Sequence, residues 1–120
     1  MLVRPATRHD KTLLRALWGS TSPRDGEKVN RRAMVAERSG ERVGSLLIDN
    51  DFEVRWKVSP EHRGKGHGKR MVSLVTLPGY VAHIRSNDVA SQRIADHAGF
   101  DLVEDGDVQV WRAARVEPYC

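Results

Sequence analysis

Cysteine is almost missing from this chain: of 120 residues only the last, Cys120, is one. That excludes an intrachain disulfide framework, a CxxC redox pair and a cysteine-rich zinc site, and it accords with a reducing cytoplasmic compartment. No run approaches the roughly 18 apolar residues of a membrane span. The opening MLVRPATRHD has no apolar stretch like that of a secretory signal. Aromatic residues amount to 6%, which falls short of the aromatic-with-basic surface of a dedicated nucleic-acid binder. His9, His62, His67, His83 and His97 show no HxxxH spacing and no carboxylate paired in a metal-binding pattern, so no metal is expected. Internal repeats, low-complexity tracts and linkers are absent too. What is present fits one domain over residues 1–120, 39% hydrophobic and 30% charged, enough for a single core. The 20 Lys and Arg exceed 16 Asp and Glu, a net charge of +4, so an anionic partner such as phosphate, nucleic acid or acidic lipid is in keeping. The expectation is a soluble cytoplasmic protein without a membrane segment.

A strand at Leu2 and Val3 leads into a helix over Thr7–Trp18, where Leu13, Leu14, Leu17 and Trp18 recur at helical spacing and Thr7 or Asp10 can cap the start. Residues 19–32 are rich in charge and nearly free of apolar side chains, the composition of a loop. Short apolar runs at 33–37, 43–48 and 52–59 predict three strands joined by tight turns. In the last run Phe52, Val54, Trp56 and Val58 alternate with Glu53, Arg55, Lys57 and Ser59, the period of a half-buried strand with a wet polar face. Trp56 and Trp111 read as core. A helix through Met71, Val72, Leu74 and Val75 ends by Pro78-Gly79. A strand at 80–85, a helix from Asp88 to Ala98 closed by Gly99, and a hairpin around Asp105-Gly106-Asp107 complete the order.

Between strand and helix lies RGKGHG, residues 63–68. Successive amides that open a helix hold anionic oxygen, and the helix dipole adds partial positive charge. Glycines let the backbone approach a diphosphate closely, and Arg63, Lys65, Lys69 and Arg70 surround it. The spacing is neither GxGxxG, which needs a glycine where Lys69 stands, nor GxxxxGK[ST], which needs a hydroxyl where Arg70 stands. The same residues also fit a strand-ending turn with solvated lysines.

In context, VSPEHRGKGHGKRMV resembles the R/Q-x-x-G-x-G/A signature of the GNAT superfamily of acyl-CoA-dependent N-acetyltransferases, matched by Arg63, Gly66 and Gly68. NDVASQRIADHAGFDLV resembles the family's next motif, a helix closed by Gly99-Phe100. Together they cover about residues 52–104. The resemblance implies an α/β (α+β) fold: a mixed, mostly antiparallel sheet of six to seven strands, splayed between the fourth (52–59) and fifth (80–85), with three to four helices. It implies acetyl-CoA as co-substrate, pantetheine beside Lys57 and Val58, diphosphate on the amides of Arg63, Gly64, Lys65, Gly66, His67 and Gly68, and the adenosine phosphate near Lys65, Lys69 or Arg93. The stretch is most similar to the type that acetylates ribosomal-protein N-termini, in which a Glu seven residues before the Pro enters the cleft; Glu53 holds that place before Pro60. The same type has an Asn–Ser pair that contacts pantetheine, matched here by Asp88 and Ser91, which the resemblance therefore adds to the cofactor-binding residues. A Tyr that serves many members as general acid is replaced by Ala95.

An amine attacks a thioester only when unprotonated, and an alkyl ammonium has a pKa of about 10, so a base is needed. Glu53 is the candidate base and Ser91 the candidate acid; a surface pair between Glu53 and Arg55 is the plainer alternative. The resemblance puts the oxyanion donor at a backbone N–H near Val58, where the fourth strand bulges. Substrate choice would rest with the loop 20–32 and the acidic turn Glu104, Asp105, Asp107, and an amine on a small molecule or a protein is the expected acceptor. Two other classes stay open: a non-catalytic acyl-CoA-binding regulatory module, and a nucleic-acid-directed protein, the less favoured. Monomer and homodimer both fit.

Overall fold

The computed structural model describes residues 1–19 and 32–113. The basic loop expected at 19–32 and the tail with Tyr119 and Cys120 fall outside those residues, except Gly19 and Arg32. In chain order the elements are β1 (Leu2–Pro5), α1 (Lys11–Trp18), β2 (Arg32–Arg38), β3 (Glu41–Ile48), β4 (Val54–Val58), α2 (His67–Val75), β5 (Val81–Arg85), α3 (Val89–His97), β6 (Phe100–Glu104) and β7 (Val108–Ala113). Short 3-10 turns at Arg8–Asp10 and Pro60–His62 precede α1 and α2.

Among the described residues seven strands form two antiparallel sheets, ordered β1-β2-β3-β4 and β5-β7-β6. They touch at one isolated parallel bridge, Glu53 to Val81, where the Val81 N–H donates to the Phe52 carbonyl at 2.9 Å. Beyond it β4 and β5 diverge, the split expected between the fourth and fifth strands. The even residues of β4 turn to α2 and α3: Val54 is buried, and Val58 and Ile94 flank the spot where a Cβ on Gly68 would lie. There the core gathers Leu46, Met71, Val72, Ile84, Ala95 and Phe100, each at most 4% exposed. No helix among the described residues is long and apolar enough to cross a membrane.

Phe52 departs from its expected place on the apolar face of the fourth strand. Asp49 accepts from the Asp51 and Glu53 amides at 2.9 and 3.0 Å through Oδ1, and its carbonyl accepts from the Phe52 N–H at 3.1 Å. This side-chain-braced turn puts Phe52 at φ 62° and 55% exposed, its ring stacked on Tyr80 at 5.8 Å. The strand therefore begins at Val54. The bulge expected near Val58 is also missing: β4 pairs with β3 from Gly44–Val58 to Ile48–Val54 without a register shift, and the shifts fall at Ala36/Glu37 and Leu102/Glu104. Helix α2 stops at Val75, short of Pro78-Gly79, because Thr76 is extended and its hydroxyl donates to the Val72 carbonyl at 2.7 Å.

At the other end Thr7 and Asp10 form a capping box over the 3-10 turn. Asp10 is fully buried and accepts from Arg4 Nη1 at 2.8 Å, Arg4 Nη2 at 3.0 Å, the Thr7 amide at 2.7 Å and Arg42 Nε at 2.8 Å. The cluster ties β1, the start of α1 and β3 together.

β3 passes under α2 at Gly44. A Cβ there would stand 2.6 Å from the Lys57 carbonyl oxygen and 3.0 Å from Met71 Sδ. Backbone cannot yield as a side-chain tip can, so Gly44→Ala is expected to lower stability by about 2 kcal/mol, read as a lower urea midpoint at unchanged m-value.

Candidate functional site

The split opens into a cleft of about 1000 Å³. Its walls come from α1 (Leu13, Ala16, Leu17), the end of β4, the loop to α2, and the start of α3. Of the residues singled out by sequence, Lys57, Val58, Arg63, Gly64, Gly66, His67, Gly68, Lys69, Asp88, Ser91 and Arg93 all line it. Lys65, exposed in the loop, stands outside the lining, and so does Glu53.

The loop is shaped for close approach. Gly64 and Gly66 have φ of 76° and 81°, the left-handed region that disfavours any side chain, and nothing lies within 4 Å of where a Cβ on Gly66 would sit. Gly66 is the N-cap of α2 and supplies no side-chain cap. The first amides of a helix have no intrahelical acceptor, and the N–H groups that open α2 have no side-chain cap. Arg63 Nε donates to the Val58 carbonyl at 3.1 Å, which ties the loop to the end of β4. Four Lys or Arg line the cleft (Lys57, Arg63, Lys69, Arg93) against two carboxylates, Glu61 and Asp88.

His67, first residue of α2, is buried, with its ring edge-on to His62 at 6.0 Å. Burial first, then the charges of Arg38, His62, Lys65 and Arg70, push its pKa below the ordinary histidine value, so the imidazole is neutral at physiological pH. Lys57 bends toward α1: Nζ donates to the Leu17 carbonyl at 2.8 Å and lies 5.1 Å from the centre of the Trp18 ring. That contact, with Trp18 Nε1 donating to Ser45 Oγ at 3.1 Å, holds α1 as a wall of the cleft.

The Ser59 N–H donates to Val43 and the Asp49 N–H to Glu53, at 2.8 and 3.1 Å. With the β3 register this assigns the odd residues of β4 to the bonds with β3, so the amides of Trp56 and Val58 face the split. The Val58 N–H thus faces the split from a regular strand, without the expected bulge.

Glu53 sits at the closed end of the split, roughly 16 Å up the strand from Val58 at about 3.3 Å per residue. Its Oε1 takes both His83 Nδ1 at 3.1 Å and Arg55 Nε at 3.3 Å, so the pairing with Arg55 is real and His83 joins it. Ser91 is half-buried on the cleft wall; its amide donates to Asp88 Oδ1 at 3.1 Å, which makes Asp88 the cap of α3. Ala95 is wholly buried in the core and does not line the cleft. Among the described residues no group of three or more His, Cys, Asp or Glu is placed to hold a metal ion.

Sequence reasoning missed the α1 wall, which depends on contacts between residues about 30 to 40 positions apart. It also placed Trp56 in the core alone, whereas this residue packs against the core and lines the cleft.

Comparison with protein-family models finds no match, and comparison with curated proteins finds none either. Solved structures do match. The aminoglycoside acetyltransferase AAC(6')-Ib, solved with coenzyme A and kanamycin, is 13% identical over 92% of this chain and 93% of that one, with a TM-score of 0.72. A point mutant of the spermidine N-acetyltransferase SpeG from Vibrio cholerae is 16% identical over 92% and 93%, also at 0.72. A domain from Methanocaldococcus jannaschii is 18% identical over 92% and 95%, at 0.70. At such identities the likeness speaks for architecture: this chain has the fold of the GNAT acetyltransferases.

Proposed function

We propose that the chain is an N-acetyltransferase that moves the acetyl group of acetyl-CoA to a primary amine by direct attack in a ternary complex. The observation that carries this reading is the union of two features in one cleft: a helix N-terminus without a side-chain cap, and a strand edge leading away from it that has no partner strand among the described residues. The first suits a diphosphate, the second an extended arm with amide groups. The open space before Gly66 and the excess of cations fit that ligand. Neighbours in fold named for acetyl transfer to spermidine, and one solved with coenzyme A and kanamycin, support an amine as acceptor.

Acetyl-CoA, when bound, supplies a thioester whose carbonyl carbon takes the amine nitrogen while the C–S bond breaks. The chain's residues do the rest. The amides of 63–68 hold the diphosphate, with Lys69, Arg93 and Lys65 toward the adenosine phosphate. Lys57 and Val58 flank the arm, and the Val58 N–H supports charge on the acetyl oxygen. An arm entering from the loop points its thioester toward the closed end of the split, where Glu53, joined to His83, draws off the ammonium proton through intervening water, since it lies too far from Val58 for direct transfer. Ser91 donates to the departing thiolate, which needs little help because a thiol has a pKa of about 8.5. The similarity to the N-terminal-acetylating type favours a protein N-terminus as acceptor, with a lysine or a small amine as the other members of the class.

The test is release of free thiol from acetyl-CoA with an N-terminal alanine peptide, a lysine peptide and spermidine as acceptors. Amine-dependent release is expected, with kcat/KM about 10²–10⁴-fold lower in Glu53→Gln at unchanged acetyl-CoA affinity, and about tenfold lower in Ser91→Ala. Binding of acetyl-CoA without release to any amine would make the protein a binding module instead.

A further inference from the structure

The chain has three tryptophans, and their indole N–H groups are not alike. Trp18 Nε1 donates to Ser45 Oγ at 3.1 Å and Trp111 Nε1 to Gln109 Oε1 at 3.0 Å. Trp56 Nε1 is sealed from solvent and has no acceptor among the described residues. Among the described residues just one other buried side-chain polar atom lacks a partner, Ser59 Oγ. Both residues line the cleft, three positions apart at the end of β4. Buried polar groups are almost always paired, and an orphan costs free energy that a pairing ligand relieves. Two orphans on one wall mark where ligand atoms belong.

Their place says which part of the ligand. Trp56 lies two residues up β4 from Val58, past the diphosphate loop and toward the closed end, its ring held at 6.1 Å from that of the buried Phe100. An adenosine phosphate at the loop would not extend this far. An acyl-pantetheine arm would, and its amide and thioester groups carry carbonyl oxygens for an N–H donor. We infer that Trp56 is a further cofactor-contacting residue whose indole N–H donates to a carbonyl oxygen of the acyl-pantetheine arm; this rests on the acyl-CoA reading of the cleft. Because Nε1 is sealed, the bond forms only when the arm parts the wall at Trp56. The indole proton therefore senses entry of the arm and is blind to the nucleotide.

Three indole cross-peaks in a ¹⁵N–¹H spectrum, with Trp56 assigned from Trp56→Phe, give the readout. Acetyl-CoA is expected to move the Trp56 signal downfield, and adenosine 3′,5′-bisphosphate, which lacks the arm, to leave it in place. By calorimetry Trp56→Phe, which keeps an aromatic ring and loses the donor, weakens acetyl-CoA by about tenfold and the bisphosphate not at all. Acetyl-CoA bound to the wild-type protein with its Trp56 signal unmoved overturns this inference and leaves the cofactor reading standing. No binding of acetyl-CoA overturns both.

Discussion

Calorimetric titration of Gly66→Glu with acetyl-CoA is expected to show affinity at least about a hundredfold below wild type, the largest loss of cofactor affinity of any single change in the cleft. Two physical costs combine. At φ 81° a non-glycine residue bears about 1–2 kcal/mol of backbone strain, and a carboxylate set before the helix N-terminus would meet a ligand diphosphate as a like charge. Gly66→Ala separates them, because nothing lies within 4 Å of the new Cβ. It should lower stability by about 1 kcal/mol and affinity far less than the glutamate does. Wild-type affinity in Gly66→Glu would mean that no anion sits on this turn.

Asp10→Asn is expected to be the most destabilising conservative change, by about 3 kcal/mol, or on the order of 10 °C in Tm. The carboxyl is fully buried, and its loss leaves the guanidinium of Arg4, only 24% exposed, without its bidentate partner. Hydrogen bonds from Arg4, opposed by desolvation and reinforced by the Thr7 amide and the charges of Arg4 and Arg42, hold this carboxyl well below the usual carboxylate range. The sign follows. A pKa lowered by folding contributes stability that is complete above the unfolded value of about 3.9 and drains away as pH falls below it. Urea midpoints measured from pH 6 down to pH 2.5 should fall more steeply for wild type than for Asp10→Asn; parallel curves would show that Asp10 does not carry the acid sensitivity.

The order of elements was legible because local chemistry and burial agree in them. Val54, Trp56 and Val58 alternate with charged residues and form a strand, Gly99 closes a helix at φ 93°, and Asp105-Gly106-Asp107 separates two paired strands. The glycine-rich loop between β4 and α2 was legible because its spacing is contiguous in sequence. Phe52 misled because hydrophobicity alone cannot reveal that the Asp49 carboxylate reaches over two following amides. Asp10 read as a possible cap; it closes the capping box of Thr7 over the 3-10 turn and gives α1 no side-chain cap bond, while its burial depends on Arg4 and Arg42 meeting across β1, β2 and β3, a pairing that no local window contains. Trp56 misled for a related reason: its apolar body packs as a core residue does, and the state of one N–H is decided by what surrounds it in space.

Divergence of β4 from β5 leaves amides of Trp56 and Val58 facing a gap. Unpaired strand edges are templates on which another chain can add a strand, so the same opening also invites self-association. A ligand that lies along β4 shields that template, and when present at a hundredfold over its Kd it adds about 2.7 kcal/mol to the folded state by mass action. Shelf life and solubility of the purified protein then become properties of the complex, governed by how much ligand accompanies it through preparation.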